Sequence, residues 1–160
     1  MYADTLLALE RGHLLRLGLW AAASIIVGAF ILLMLWWRKG NAPFLRHFAI
    51  QMLAWGVVDL ALVGWGWQGL AYRDYGASVQ LQQFLWLNVG LDAGYVGVGI
   101  TLAATGWILA KRLGLLGAGV GVVVQGFALF VLDLRLLTVL DSGRIASISL
   151  PVSQWLASWN

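Results

Sequence analysis

Residues 17–37 read LGLWAAASIIVGAFILLMLWW, and this stretch decides the fold. It contains no charge, and its only hydroxyl is Ser24. A helix needs about 20 apolar residues to cross the hydrocarbon core of a bilayer. This run meets that length and ends abruptly at Arg38-Lys39-Gly40-Asn41. No small-residue cleavage site follows it, so it reads as a permanent anchor rather than a secretory signal.

Working outward, the same test selects three more spans. Residues 48–72 form the second, interrupted by Asp59, residues 84–110 the third, and residues 113–140 the fourth. The loops between them are short: Gly40, Asn41 and Pro43 supply turn chemistry in the first. Arg73-Asp74-Tyr75-Gly76 makes the second and Lys111-Arg112-Leu113-Gly114 the third. Residues 141–160 are too short and too polar for a fifth span. They read as an interfacial tail anchored by Trp155 and Trp159.

Composition agrees. Hydrophobic residues make up 61% of the 160-residue chain and charged residues 11%, against about 25% charged in ordinary soluble domains. The mean hydropathy is +0.85. The expected fold is therefore all-α, a single integral-membrane four-helix bundle over residues 1–160. The lipid bilayer is its first partner, with a homodimer or a larger membrane complex as further candidates. The net charge of +3 is small and scattered and gives no footprint for nucleic acid. With no cysteine there are no disulfides and no thiolate metal sites. His13 and His47 both stand beside charged helix ends, which argues against a paired-histidine haem. No cofactor, metal site or catalytic group is expected.

Basic residues set the expected direction. Arg38, Lys39, Arg46, Lys111 and Arg112 occupy the first and third loops with no acid among them. Arg11, Arg16, Arg73, Arg135 and Arg144 share the opposite side with five acids. Lys and Arg alone are balanced, but the first set lies in shorter segments beside helix ends. This places those loops in the cytoplasm and both termini outside. Trp20, Trp65, Trp67 and Trp86 then fall near the outer interface, and Trp36, Trp37 and Trp107 near the inner one.

A shift of 74 residues lays QMLAWGVVDL (residues 51–60) on QGFALFVLDL (residues 125–134), matching Gln51 with Gln125 and Asp59 with Asp133. Two readings stand: chance alignment of apolar helices, or two hairpins of the same orientation related by a twofold along the membrane normal.

Polar residues at membrane depth carry the functional expectation. Gln51, Trp55 and Asp59 are spaced four apart and share one helix face. Asp59 lies roughly 20 Å along the helix from both Arg46 and Arg73, near the midplane. Asn88, Asp92 and Tyr95 share a face of the third helix, and Gln125 is central in the fourth. An ionisable group at a helix centre costs about 2.5–3.5 kcal/mol on insertion scales. Both stripes should therefore face the interior and each other, and desolvation favours the uncharged acids. Either the stripes are interhelical glue, or Asp59, Asp92, Asn88, Tyr95, Gln51, Trp55 and Gln125 form a site for a proton, cation or small ligand. Gly90, Gly94, Gly97, Gly99, Gly117 and Gly121 are expected to allow close helix approach.

The segment Asn88-Val-Gly-Leu-Asp-Ala-Gly-Tyr95 resembles a motif of small bacterial inner-membrane proteins with four helices. In these the motif is paired with a Gln and an Asp on the preceding helix, here Gln51 and Asp59. The resemblance covers helices two and three and implies a bacterial inner-membrane location and these site residues, but no activity. The tryptophan-rich sensory proteins are set aside, because their helices are proline-rich and this chain has only Pro43 and Pro151. The small multidrug exporters share the embedded carboxylate but not the sequence pattern. A non-catalytic assembly subunit is the alternative to a binding or conducting protein. An enzyme is the weakest reading, because no serine stands in a constellation with histidine.

Overall fold

The computed structural model describes the backbone of residues 2–109 and 111–157 and the side chains of residues 4–108 and 111–142. It is an all-α four-helix bundle: α1 (Tyr2–Trp37), α2 (Pro43–Gln68), α3 (Tyr75–Ala104) and α4 (Leu113–Ala157). Four segments are long and apolar enough to cross a membrane, Asp4–Trp37, Pro43–Gln68, Tyr75–Ile108 and Leu113–Ser142. Large apolar side chains such as Ile26, Phe30, Ile100 and Phe127 point outward. That surface suits lipid, not water.

The helix ends follow from local chemistry. At the end of α1 the Gly40 N–H donates to Leu35 O at 3.1 Å and the Lys39 N–H to Trp36 O at 3.2 Å. This is the paired Schellman closure, which satisfies carbonyls the helix leaves open. Its left-handed position is filled by Lys39, with φ 47°, not by glycine. Pro43 then opens α2, where its missing N–H costs nothing. Asp74 caps α3 by accepting from the Ala77 N–H at 2.8 Å. Beyond Ala104, α3 widens into a π-turn over Thr105–Leu109. Lys111, with φ 46°, turns the chain into α4.

Two helices start earlier than their hydropathy implies. α1 begins at Tyr2, fifteen residues before the apolar run at Leu17, and α3 begins at Tyr75, nine before Phe84. Charges at Asp4, Glu10, Arg11, His13 and Arg16 lower the hydropathy of the first segment without breaking its helical spacing. The backbone of residues 141–157 continues α4. The expected anchoring by Trp155 and Trp159 lies outside the described side chains.

α4 is the hub. It packs along α3, beside α2 and against α1, whereas close backbone approach between α3 and either α1 or α2 is absent among the described residues. α1 lies antiparallel on α2, and α3 antiparallel on α4. At the end with the termini, Leu85, Leu136 and Leu137 form the apolar core with Leu9, Leu81, Leu134 and Leu140 around them. At the other end Phe44 and Phe48 stack with ring centroids 6.4 Å apart.

The expected roles of glycine are divided. Gly99, Gly117 and Gly121 do sit where a side chain would collide with a neighbouring helix, but Gly90, Gly94 and Gly97 meet nothing within 4 Å. Those three lie on the side of α3 turned away from α4. The two hairpins also differ in register. Gly28 lies against Ala49 and Leu53, and a shift of 74 would put Leu102 against Val123. The residue facing Val123 is instead Gly99, nearly one turn away.

Candidate functional site

The buried positions of α1 are Leu6, Glu10, His13, Leu17, Ala21, Ser24 and Gly28. Their spacing of three and four makes one continuous seam, the pattern of a helix packed along its length. Two of these positions are ionisable, so the fold draws charge into the bundle from above the apolar run. The polar interior begins there.

Glu10 accepts from Arg73 Nε at 2.7 Å, tying α1 to the end of the α2–α3 loop. One turn further in, His13 Nε2 lies 3.2 Å from Asp133 Oδ1 of α4. On α4's α3 side, Gln82 donates to Asp141. Below this level stand Asp59 of α2 and Asp92 of α3, 1% and 5% exposed. Among the described residues neither oxygen of Asp59 has a hydrogen-bond partner, nor has Oδ2 of Asp92, nor Nδ1 of His13. Asp133 is 8% exposed, so acids of α2, α3 and α4 are all buried in the interior.

Deeper still, Gln125 is 1% exposed and well satisfied. Its Oε1 accepts from Trp20 Nε1 at 2.7 Å, and its Nε2 donates to Ser24 Oγ at 3.0 Å and contacts Met52 Sδ at 3.6 Å. α2 and α3 meet here through side chains: the rings of Trp55 and Tyr95 stand edge to face with centroids 5.0 Å apart. Gly126, next to Gln125, leaves room for the backbone of Asp92 and the Cβ of Tyr95.

Of the sequence-expected residues, Asp59, Asp92 and Gln125 are thus buried in the interior, and Trp55 with Tyr95 closes one side. Gln51 is half-buried against Gly121, and Asn88 is half-buried. Neither makes a side-chain hydrogen bond among the described residues. The two stripes meet at Trp55 and Tyr95, and α4 packs beside both α2 and α3.

Several residues had been read differently. His13 is a buried partner of an acid, not a residue at a charged helix end. Asp133, read from the sequence as the match of Asp59 in the 74-residue shift, is 8% exposed and pairs with His13. Trp20, expected in an interfacial belt, turns its N–H inward to Gln125. The α1 seam was the signal for Glu10 and His13. It is visible once the three-and-four spacing is followed upstream of Leu17.

An isolated ionised carboxylate in an apolar interior costs several kcal/mol even after relaxation. Here the carboxyls of Asp59, Asp92 and Asp133 are all buried, and two of them have oxygens without a hydrogen-bond partner among the described residues. Among the described residues no group of three or more His, Cys, Asp or Glu converges to hold a metal ion.

Fold and interior together define a class: an all-α bundle of four helices long and apolar enough to cross a membrane, with buried acidic residues in its interior. The chain belongs to a family of unknown function, DUF6992, whose model matches residues 16–134. That match includes Trp20, Asp59, Asp92, Gln125 and Asp133 and stops short of Glu10 and His13. No curated protein and no solved structure matches the chain.

Proposed function

We propose that this protein binds and passes protons through an intramembrane site built on Asp59, Asp92 and the His13–Asp133 pair. The observation that carries the reading is Asp59: almost wholly buried and, among the described residues, unpartnered at both oxygens. Structural glue satisfies its polar groups, as Gln125 does with Trp20 and Ser24, whereas Asp59 is left open to exchange. Intramembrane acids are functional by default, and a proton needs no ordered set of ligands. His13, between Asp133 and buried Glu10 with its partly exposed partner Arg73, is the natural relay to the side of the termini. The same reading keeps both termini outside a bacterial inner membrane and treats the α2–α4 likeness as a duplicated hairpin.

The test is proteoliposomes with an internal pH-sensitive dye, driven by a potassium diffusion potential. The wild type should acidify or alkalise the lumen well above empty vesicles. Asp59→Asn and Asp92→Asn should each remove at least nine-tenths of that flux while eluting as the wild type does. Flux equal to empty vesicles in the wild type, or undiminished in the double variant, overturns the proposal.

The rival is an assembly subunit. Its support is the rim of large exposed aromatics, with Trp36 77% and Trp37 80% exposed. Co-purification of a fixed partner in mild detergent, with no flux from the isolated chain, would favour it.

A further inference from the structure

A groove runs along the outside of the bundle between α1 and α4, away from the acidic cluster. Leu19, Trp20 and Ala23 wall it on α1, and Val124, Phe127 and Val131 on α4, with Arg16 at one end. It is a shallow trough, open along its outer side, with a volume of about 680 Å³. Its α4 wall, Val124 to Leu132, is roughly 12 Å long. Ala23 and Ala128 make the hollow, and Trp20 makes its floor, since the indole N–H is turned away to Gln125. The walls are therefore apolar.

Arginine marks the end nearer the chain termini. Arg16 is a wall residue itself, and Arg135 is exposed on α4 one turn beyond Val131, on the same face. Neither makes an ion pair among the described residues, although Glu10, His13, Arg73 and Asp133 are all paired nearby. Two uncompensated cations at the head of an apolar trough in a membrane-crossing bundle match one kind of molecule. We infer that the α1–α4 groove binds an anionic glycerophospholipid, its phosphate between Arg16 and Arg135 and one acyl chain along Leu19, Ala23, Phe127 and Val131. The charge complementarity selects the anionic headgroup, and the length and apolarity of the trough select the chain.

The test is native mass spectrometry of the full chain in a mild non-ionic detergent. Dioleoylphosphatidylglycerol and dioleoylphosphatidylcholine are titrated in separate runs. The wild type should hold the glycerol lipid at least fivefold tighter than the choline lipid. A juxtamembrane arginine contributes about fivefold to anionic-lipid affinity, so Arg16→Gln and Arg135→Gln should each lower it by about that factor. The pair should bring it level with the choline lipid. Ala23→Phe, which fills an exposed hollow without touching the core, should weaken both lipids. Equal affinity of the wild type for the two lipids overturns the inference, as does a preference that survives the double variant. A wild-type dimer that Ala23→Phe converts to a monomer with lipid binding unchanged also overturns it, by making the groove an interface with a second copy.

Discussion

The end of the bundle with the start of α1 and the end of α4, and the end with the turns at 38–42 and 111–112, are held together by different means. The termini end carries polar pairs beside its leucine core: Glu10–Arg73, His13–Asp133 and Gln82–Asp141 each join two segments there. The turn end is glycine-packed. There Gly28 meets the backbone of α2, Gly117 meets Phe44, and Gly119 meets Ala103. Without a hydrophobic drive between helices in lipid, association relies on close packing and interhelical hydrogen bonds. This chain uses one at each end. Close backbone contact leaves no volume for a carboxylate, and a carboxylate prevents close contact, so the acids are confined to the looser half.

The sharpest way to break that contrast is to add bulk at the turn end. A Cβ on Gly117 would run into the carbonyl of Phe44, a backbone atom that has nowhere to move. Gly117→Val should cost about 3 kcal/mol, at the upper end of overpacking penalties, measured by denaturation in mixed detergent micelles. Gly94→Val, which meets nothing within 4 Å, should fall within about 0.5 kcal/mol of the wild type. If both variants lose the same stability, glycine packing is not what holds the turn end.

A smaller loss is expected at the polar end. Arg73→Gln would strand Glu10, which is 6% exposed and has Arg73 as its ion-pair partner. Breaking a fully buried pair costs about 3–5 kcal/mol. The Arg73 side chain is 28% exposed, so about 2 kcal/mol is the fitting expectation. Glu10→Gln in the same chain should recover most of it, because two neutral groups leave no buried charge. A double variant no better than Arg73→Gln alone would mean that packing of the arginine stem, not charge, is what the pair supplies.

The same contrast explains what could be read from sequence. The turn end was legible: four apolar runs, turn residues at 38–43 and basic residues at 111–112 give the helices and their antiparallel order. At the polar end Asp59, Asp92 and Gln125 were legible because a polar residue inside an apolar run is conspicuous. Glu10 and His13 were not, because they stand among Asp4, Arg11 and Arg16 where charge is unremarkable. Their partners are also remote: 63 residues separate Glu10 from Arg73, and 105 separate Trp20 from Gln125. Helical spacing within a segment says which residues share a face. It says nothing of which face meets which neighbour, and so the place of α4 beside both α2 and α3 was not legible.

The smallest effect concerns the turns that join the glycine-packed helices. Lys39 and Lys111 both occupy left-handed backbone, at φ 47° and 46°, a conformation that costs an L residue roughly 1–2 kcal/mol and glycine nothing. Each lysine also sits at a helix C-terminus, where a positive charge contributes about 0.3–1 kcal/mol through the helix dipole. Conformation and charge therefore oppose each other at one residue. Lys39→Gly and Lys39→Ala both remove the charge, but only the glycine relieves the backbone. The glycine variant should be more stable than the alanine variant by about 1 kcal/mol, with the wild type between them. Equal stability of the two variants would show that residue 39 does not hold the left-handed turn. The helices would then owe their close approach to the glycines alone, and the turn would be a passive connector.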